Sequence, residues 1–357
     1  MINETVAKKQ YFFWADFIRA ISIFLVVLLH ASSPVVNGFE HTSVGNWMSA
    51  NIYNSLARIC VPLLFMISGY LLLGRRDTVY GFFSSRARKV LIPFLAWSVI
   101  YLFWQNSYVN YTAFGAVKAV AYSIFTGLAY YHLWFLRSLL LIYLLVPLYQ
   151  GFVYASDEKT LWYLAILWFV FGPLLGVLQE YSSIDFKLDI GFFTGYLGYF
   201  FIGYLLGRLN YSKMIAAAAG IIFLASAAYM ISMTFIATNA NGDYVQYYHN
   251  YLRLHTVIMS LSAFILLKFI GEKLGQSGSE GIVKTIKYFA SVSFGIYLVH
   301  AAILVMLKRG AFGFSISSLS GPSILTIPLV ALITIAISWL IVAVLQKIPY
   351  IKAIVPG

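Results

Sequence analysis

The sequence carries little charge for its length. Asp, Glu, Lys and Arg together make up 10% of the 357 residues, whereas a soluble domain carries about 25%. Hydrophobic residues make up 61% of the chain, and the mean hydropathy is +0.83. A soluble fold of this length cannot hide so much apolar surface from water. These values therefore exclude a soluble domain and predict an integral membrane protein.

Cysteine is almost absent, which excludes a disulfide-linked architecture. Cys60 is the single cysteine, so the chain cannot form an internal disulfide bond. No cluster of His or Cys residues has metal-ligand spacing, and the sequence predicts no metal site. The net charge of +12 reflects the preference of Lys and Arg for cytoplasmic loops. Nucleic acid is therefore not predicted as a partner.

The apolar runs predict an all-α, polytopic membrane protein with about ten transmembrane helices. The predicted spans are roughly 17–36, 52–73, 90–106, 132–152, 161–178, 192–208, 214–236, 253–270, 288–307 and 323–345. With both termini in the cytoplasm, most of the 24 Lys and Arg residues fall in cytoplasmic loops, as the positive-inside rule requires. Lys308 and Arg309 are the main exceptions to this N-in/C-in topology.

One apolar segment does not qualify as a span. Residues 111–130 are interrupted by Gly115, Lys118 and Gly127, so this segment is expected to be interfacial or re-entrant. The remaining loops contain no low-complexity tract and no soluble domain. We therefore expect a single transmembrane domain over residues 1–357.

The first predicted span contains three ionisable residues. The stretch "DFIRAISIFLVVLLHASS", 16–33, includes Asp16, Arg19 and His30. A helix turns about 100° per residue, so Arg19 and His30 lie on one stripe, about 16 Å apart along the axis. Arg19 could simply pair with Asp16 and extend to the headgroups. That alternative does not explain His30, and an ionisable residue inside a membrane usually has a function.

Two arginines mark the cytoplasmic start of the third predicted span. Arg86 and Arg88 lie in "SSRARKVLIP", 84–93. The positive-inside rule alone accounts for such a cluster. The alternative is an anion site, since paired guanidinium groups can clamp phosphates.

Further polar groups are predicted deeper in the bundle or closer to its outer side. His300 lies about twelve residues into the ninth span, and Tyr297, three residues earlier, is expected to supply a hydroxyl partner. The other members of this set are Arg58, His132, Trp134 and Arg137. Arginines on the inner side and histidines above them indicate a channel, with an anionic donor entering from the cytoplasm and an acceptor from outside.

The predicted outer loops hold polar residues without a recognisable motif. These residues are Glu40, His41, Asp185, Asp189, Asp243, His249, Arg253 and His255. The spacing of His249 and His255 does not suit two metal ligands on one helix face. No site is predicted there.

Five fragments in order resemble the membrane acyltransferase-3 family. They are D-x-x-R-x10-H from Asp16 to His30, "VPLLFMISGYLL" (61–72), "RARKVLIP" (86–93), "HLWFL" (132–136) and "SFGIYLVH" (293–300). Each fragment alone is weak, whereas all five in order are specific, and together they cover nearly the whole chain. Within the family, the compact layout and "YHLWF" are similar to the O-acetyltransferases of enterobacterial common antigen.

The resemblance implies a multi-pass enzyme of the bacterial inner membrane. It would move an acyl group, usually acetyl from acetyl-CoA, to a hydroxyl of a cell-surface polysaccharide or its lipid-linked glycan precursor. The partners would be acyl-CoA, the glycan acceptor, membrane lipids and polysaccharide-assembly proteins of the cell envelope.

The resemblance also assigns residues to roles. Arg19 and His30 would be essential, with His30 acting as general base or receiving the acyl group transiently. Arg19, Arg86 and Arg88 would bind the CoA phosphates. The expected substrate-binding residues are Asp16, Arg58, His132, Trp134, Arg137, Tyr297 and His300.

Two other functions fit ten spans with internal polar groups. A transporter or flippase of a lipid-linked saccharide would also need a polar pathway, but the sequence shows no inverted repeat. A membrane sensor or scaffold would leave the inward-facing polar groups unexplained.

Overall fold

A computed structural model describes residues 11–105, 112–126, 129–181 and 195–356. These residues form fourteen α-helices and no strand. The helices are α1 (Phe13–Val36), α2 (Val44–Ala57), α3 (Cys60–Leu73), α4 (Val79–Arg86), α5 (Ile92–Trp104), α6 (Ala113–Thr126), α7 (Trp134–Ala155), α8 (Glu158–Phe169), α9 (Leu175–Tyr181), α10 (Leu197–Arg208), α11 (Lys213–Asn241), α12 (Leu254–Ser277), α13 (Glu280–Arg309) and α14 (Ser323–Leu345).

Nine stretches of the described chain are long and apolar enough to cross a membrane. They confirm the prediction of an all-α, polytopic membrane protein, and each matches one predicted span. The remaining predicted span, 192–208, contains the twelve-residue helix α10, and residues 192–194 lie outside the described residues. Helix α6, within the predicted segment 111–130, has only 14 residues. It is shorter than the roughly 20 residues that a transmembrane helix needs.

Helix α1 lies at the centre of the bundle. It packs against α2, α3, α12, α13 and α14, and Ile18, Val27 and Val35 along its length are fully buried. Its 24 residues give a length of about 36 Å, which exceeds the roughly 30 Å thickness of the hydrocarbon core. Helix α1 therefore brings its polar residues among five other helices.

Helices α3 and α10 approach closely because glycines lie at their contact. A Cβ atom on Gly69 would lie 1.7 Å from the carbonyl oxygen of Phe200, and one on Gly203 would lie 2.3 Å from Cα of Met66. Small residues permit such close packing in membranes. This contact fixes α3 against α10 and so positions the residues that α3 contributes to the site.

A break between α2 and α3 places Arg58 at a helix junction. Helix α2 ends at Ala57 and α3 begins at Cys60. Pro62 has no N–H to donate to the carbonyl of Arg58, so a continuous helix would lack this bond. In the first turn of a new helix that donor has no intrahelical partner in any case. The proline therefore favours a break at Arg58.

Candidate functional site

Three buried or half-buried histidines from separate parts of the chain meet inside the bundle. The rings of His30 in α1 and His300 in α13 stack with centroids 5.3 Å apart. The ring of His132, just before α7, lies 5.0 Å from that of His300 in an edge-on arrangement. We call these three residues the histidine cluster. The sequence predicted each of them separately, and the fold brings them together.

The protonated nitrogen of His300 can be assigned from its backbone contact. Its Nδ1 atom lies 2.6 Å from the carbonyl oxygen of Tyr297. A carbonyl can only accept, so Nδ1 carries the hydrogen and donates it. The Nε2 atom of the neutral ring is then an acceptor, and it is buried without a hydrogen-bond partner.

The expected hydroxyl partnership between Tyr297 and His300 is wrong. The Tyr297 hydroxyl instead donates to the backbone carbonyl of His132. His300 lies three residues after Tyr297 on α13, so its Nδ1 atom reaches the backbone carbonyl of Tyr297. The phenol of Tyr297 extends away from His300, towards the segment before α7. Tyr297 therefore links α13 to His132.

A narrow cavity of about 210 Å³ opens beside Arg19 and Arg86. We call it the Arg19 cavity. Arg19 also forms an ion pair with Asp16, with Nη1 and Oδ1 2.5 Å apart, so the simple pairing considered from the sequence is present. Arg86 lies near the rings of Phe82 and Tyr143, at 5.8 and 5.9 Å from their centroids. Two cations from different helices thus border one cavity.

Two predicted site residues lie away from this cavity. Arg88 is exposed and donates from Nε to the carbonyl of Ser84 at 3.2 Å. Residues two apart on a helix differ by about 200°, so Arg86 and Arg88 do not face the same side. Arg137 is half-buried and donates to the carbonyl of Phe125 at 3.2 Å. Neither arginine lines the Arg19 cavity.

A second, wider cavity of about 890 Å³ opens on the other side of the histidine cluster. We call it the His30 cavity. His30 and the predicted residues Arg58 and Trp134 line it. Tyr131, which the sequence did not single out, places its ring 4.9 Å from that of His30. The adjacent tyrosines of "AYYHLWF" could have indicated this residue. Tyrosine is frequent in this chain, however, so the pair does not stand out.

A directional hydrogen-bond chain supports one wall of the His30 cavity. Ser55 donates to Oδ1 of Asn51 at 3.2 Å, so Ser55 Oγ accepts from Nε2 of His249 at 2.8 Å. Nδ1 of the neutral His249 ring is then an acceptor, and the Tyr244 hydroxyl donates to it at 2.6 Å. His249 is therefore held as one neutral tautomer.

His249 is a residue that sequence reasoning missed. It was placed among outer-loop residues without a motif, yet it is buried and lines the His30 cavity. Its partner Ser55 lies 194 residues away in the sequence, and its partner Tyr244 lies in the loop just before it. No periodic pattern connects these residues. Asp185 and Asp189 lie outside the described residues.

The two cavities occupy successive levels along the same helices. On α1, Arg19 and Ile23 line the Arg19 cavity, whereas Leu29 and His30 line the His30 cavity. From Ile23 to Leu29 the helix rises about 9 Å. On α13, Tyr297 borders the first cavity and the residues that border the second begin at Leu304. His300 lies between these positions on α13 and His30 lies at the edge of the second cavity, so the histidine cluster lies where the two levels meet.

The histidine cluster is not a metal centre in the part of the chain that the structure describes. No three His, Cys, Asp or Glu side chains there are arranged to hold a metal ion. The arrangement instead offers neutral imidazoles in a largely apolar setting, between the Arg19 cavity and the larger His30 cavity. Neutral imidazole can accept a proton, which suits general-base chemistry.

Two proteins of known or assigned role are similar in sequence to this chain. The succinoglycan biosynthesis protein ExoH of Rhizobium meliloti (strain 1021) is 27% identical over 281 residues, covering 73% of this chain and 69% of that protein. The "Putative membrane-bound acyltransferase YfiQ" of Bacillus subtilis (strain 168) is 24% identical over 315 residues, covering 81% and 80%. No solved structure matches the chain significantly.

A family model described as "Acyltransferase domain" matches residues 12–343. This range contains α1 to α13 and nearly all of α14, and with them the histidine cluster and both cavities. The chain is a multi-pass membrane acyltransferase and belongs to the acyltransferase-3 family.

Proposed function

We propose that the protein transfers an acetyl group from acetyl-CoA to a hydroxyl of a cell-envelope polysaccharide or of its lipid-linked precursor. The observation that carries this proposal is the pair of cavities beside the histidine cluster, a small one bordered by Arg19 and Arg86 and a larger one lined by aromatic rings and by Arg58. The name of the relative from Rhizobium meliloti, a succinoglycan biosynthesis protein, supports a polysaccharide acceptor.

The donor would occupy the Arg19 cavity. Its volume of about 210 Å³ is below the roughly 300–1,000 Å³ of pockets that enclose a drug-sized ligand. Only the slender thioester arm of acetyl-CoA would enter, with the nucleotide and its phosphates remaining at the mouth. Arg19 and Arg86 supply the positive charge there, since guanidinium groups bind phosphate oxygens in bidentate fashion.

The acceptor would occupy the His30 cavity. Its volume of about 890 Å³ suits one or two sugar rings, and its aromatic and amide side chains offer both flat surfaces and hydrogen bonds. The acceptor hydroxyl would face His30, which lines this cavity, while the thioester carbonyl would approach from the level of Tyr297.

His30 would act as the general base. The sugar oxygen attacks the thioester carbonyl carbon, the hydroxyl proton moves to the His30 imidazole, and the carbon–sulfur bond breaks. The departing thiolate takes the proton from His30 and leaves as CoA, so the enzyme returns to its starting state. His300 and Tyr131, whose rings contact that of His30, would hold the imidazole in one orientation.

The orientation in the membrane follows from the same chemistry. Acetyl-CoA is a cytoplasmic metabolite, so the Arg19 end of the bundle would face the cytoplasm. This agrees with the positive-inside rule applied to the sequence, and the His30 cavity would then lie on the outer side of the bacterial inner membrane. Polysaccharide-assembly proteins of the envelope would deliver the acceptor there.

The test uses purified full-length protein in lipid vesicles. Acetyl-CoA labelled in the acetyl group is supplied on one side with a lipid-linked oligosaccharide acceptor. Label in the acceptor with wild type, and its loss in His30→Gln, is the expected result. Movement of the acceptor across the bilayer without any transfer or hydrolysis of the label would instead favour the transporter alternative.

A further inference from the structure

Arg58 is a buried cation without a carboxylate partner. Its side chain is only 8% exposed. It donates from Nη2 to Asn54 Oδ1 at 2.6 Å, and its guanidinium carbon lies 5.5 Å from the ring centroid of Tyr251. None of the ion pairs in the described chain includes Arg58, and its Nε atom is buried with no hydrogen-bond partner.

This arrangement leaves the Arg58 charge without a countercharge among the described residues. A buried charge needs a countercharge or full hydrogen bonding to offset the loss of water. Arg58 contacts only neutral groups: the Asn54 amide oxygen, the hydroxyls of Tyr244 and Tyr251, and the ring of Tyr251. It lines the His30 cavity, so its remaining donor capacity is available to whatever occupies that cavity.

The described lining of the His30 cavity adds positive charge beside Arg58. Lys308 also lines this cavity, and no Asp or Glu is found among its lining residues in the described chain. Cations concentrated around a cleft with apolar walls raise the local concentration of anions. The His30 cavity is therefore built for a ligand that carries negative charge.

An aromatic surface lies beside Arg58. The rings of Trp134 and Tyr251 lie 5.7 Å apart, and Tyr196 lies 5.4 Å from Trp134. Such rings give large, rigid apolar area, against which the C–H face of a sugar ring can pack. Asn37 and Asn250 line the same cavity and can bond to hydroxyl groups.

We propose that Arg58 binds an oxyanion on the acceptor, either the carboxylate of an acidic sugar or the phosphate that links a glycan to its lipid. This assignment rests on the proposed function, because it takes the His30 cavity as the acceptor site. Arg58 and His30 line one cavity, so the anchored anion sets which hydroxyl reaches His30. Arg58 is thus a specificity-determining residue.

The test compares two matched pairs of probes with the full-length protein, in the absence of acetyl-CoA. One pair is a disaccharide containing glucuronic acid and its methyl ester. The other is a polyprenyl phosphate and the corresponding polyprenol. In at least one pair, wild type is expected to bind the anionic member about tenfold or more tightly, since hydrogen bonds to charged groups are the stronger ones. The pair that shows the preference identifies the source of the anion.

Variants at Arg58 then assign the preference to this residue. Arg58→Gln is expected to abolish it while leaving the affinity for the neutral probe within about twofold. Arg58→Lys keeps the charge but loses the planar guanidinium group that can bind an oxyanion in bidentate fashion, so part of the preference should remain. Unchanged acetyl-CoA binding in both variants shows that the fold is intact. A wild type with no preference in either pair overturns the proposal even if both variants fail to fold.

The proposal and the proposed function fail in different ways. Selective binding that depends on Arg58, without transfer of label to any acceptor, would keep the anion site and overturn the acetyl-transfer function. Transfer to neutral acceptors with no anionic preference would overturn the role of Arg58 and keep the acetyl-transfer function.

Discussion

The imidazole rings of His30 and His300 are stacked, with an angle of 29° between their planes. One comes from the first helix and the other from the thirteenth. His300 is fully buried and its Nδ1 is occupied by a backbone carbonyl. His30 alone of the two reaches the wide cavity. The pair therefore consists of one ring that can meet a substrate and one that supports it.

Replacement of His30 should abolish transfer without affecting donor binding. His30→Ala is expected to reduce the rate of acetyl transfer by about 10²–10⁴-fold, the usual contribution of a general base. The affinity for acetyl-CoA should stay the same, because the Arg19 cavity does not include His30. His41→Ala, at an exposed histidine, is the matched control. More than a tenth of wild-type activity in His30→Ala would rule out this role.

His300 is expected to act through its ring rather than through a proton. His300→Phe retains an aromatic partner for His30, and its turnover should remain within about threefold of wild type. His300→Ala removes the ring contact, which in aromatic pairs contributes about 0.5–1.5 kcal/mol, so turnover should fall further, by up to about tenfold. The KM for acetyl-CoA should not change in either variant. Equal losses in both would show that a nitrogen of His300 is needed.

The fold was largely predictable because a lipid-crossing helix leaves a long apolar run in the sequence. Each of the nine spanning stretches matches such a run. The helical period also placed Arg19 and His30 on one stripe of α1, and these two residues border the two cavities. Both inferences use information from a single helix.

The relations between helices could not be read in the same way. Arg86 and Arg88 looked equivalent in the sequence, yet of the two only Arg86 lines the Arg19 cavity. The local sequence could not distinguish them, because it does not show which side of this segment meets α7. His249 was overlooked because its partner Ser55 comes from α2. Contacts of this kind depend on packing between distant segments, which periodicity does not encode.

The two arginines of the Arg19 cavity should contribute separately to acetyl-CoA binding. Arg19→Gln and Arg86→Gln are each expected to weaken binding by about tenfold or more, the loss of one hydrogen bond to a charged group. Arg88→Gln is the matched control two residues from Arg86, and its affinity should equal that of wild type. Binding measured by calorimetry in detergent distinguishes them. Equal weakening in Arg86→Gln and Arg88→Gln would contradict the phosphate role assigned to this cavity.

Tyr297 should keep the two cavities apart in the absence of acceptor. It borders the Arg19 cavity and packs against His132 and Phe135, with ring centroids 5.3 and 5.7 Å away. Tyr297→Ala removes this ring, so water should reach the thioester and acetyl-CoA hydrolysis without acceptor should rise severalfold. Tyr297→Phe keeps the ring and should hydrolyse at the wild-type rate. Low hydrolysis in both variants would show that another group separates the cavities.

Lys268 should be important for stability and not for the reaction. It is 2% exposed, donates to the Leu209 carbonyl at 2.7 Å and pairs with Glu272 at 2.5 Å. Removing Lys268 leaves the Leu209 carbonyl without this donor and Glu272, which is 29% exposed, without its cation, so Lys268→Met should lose about 1–3 kcal/mol of stability and melt at a lower temperature. Lys284→Met breaks an i,i+4 pair that is 74% and 82% exposed, and its cost should stay within about 1 kcal/mol. Similar melting temperatures for the two variants would contradict the role of burial.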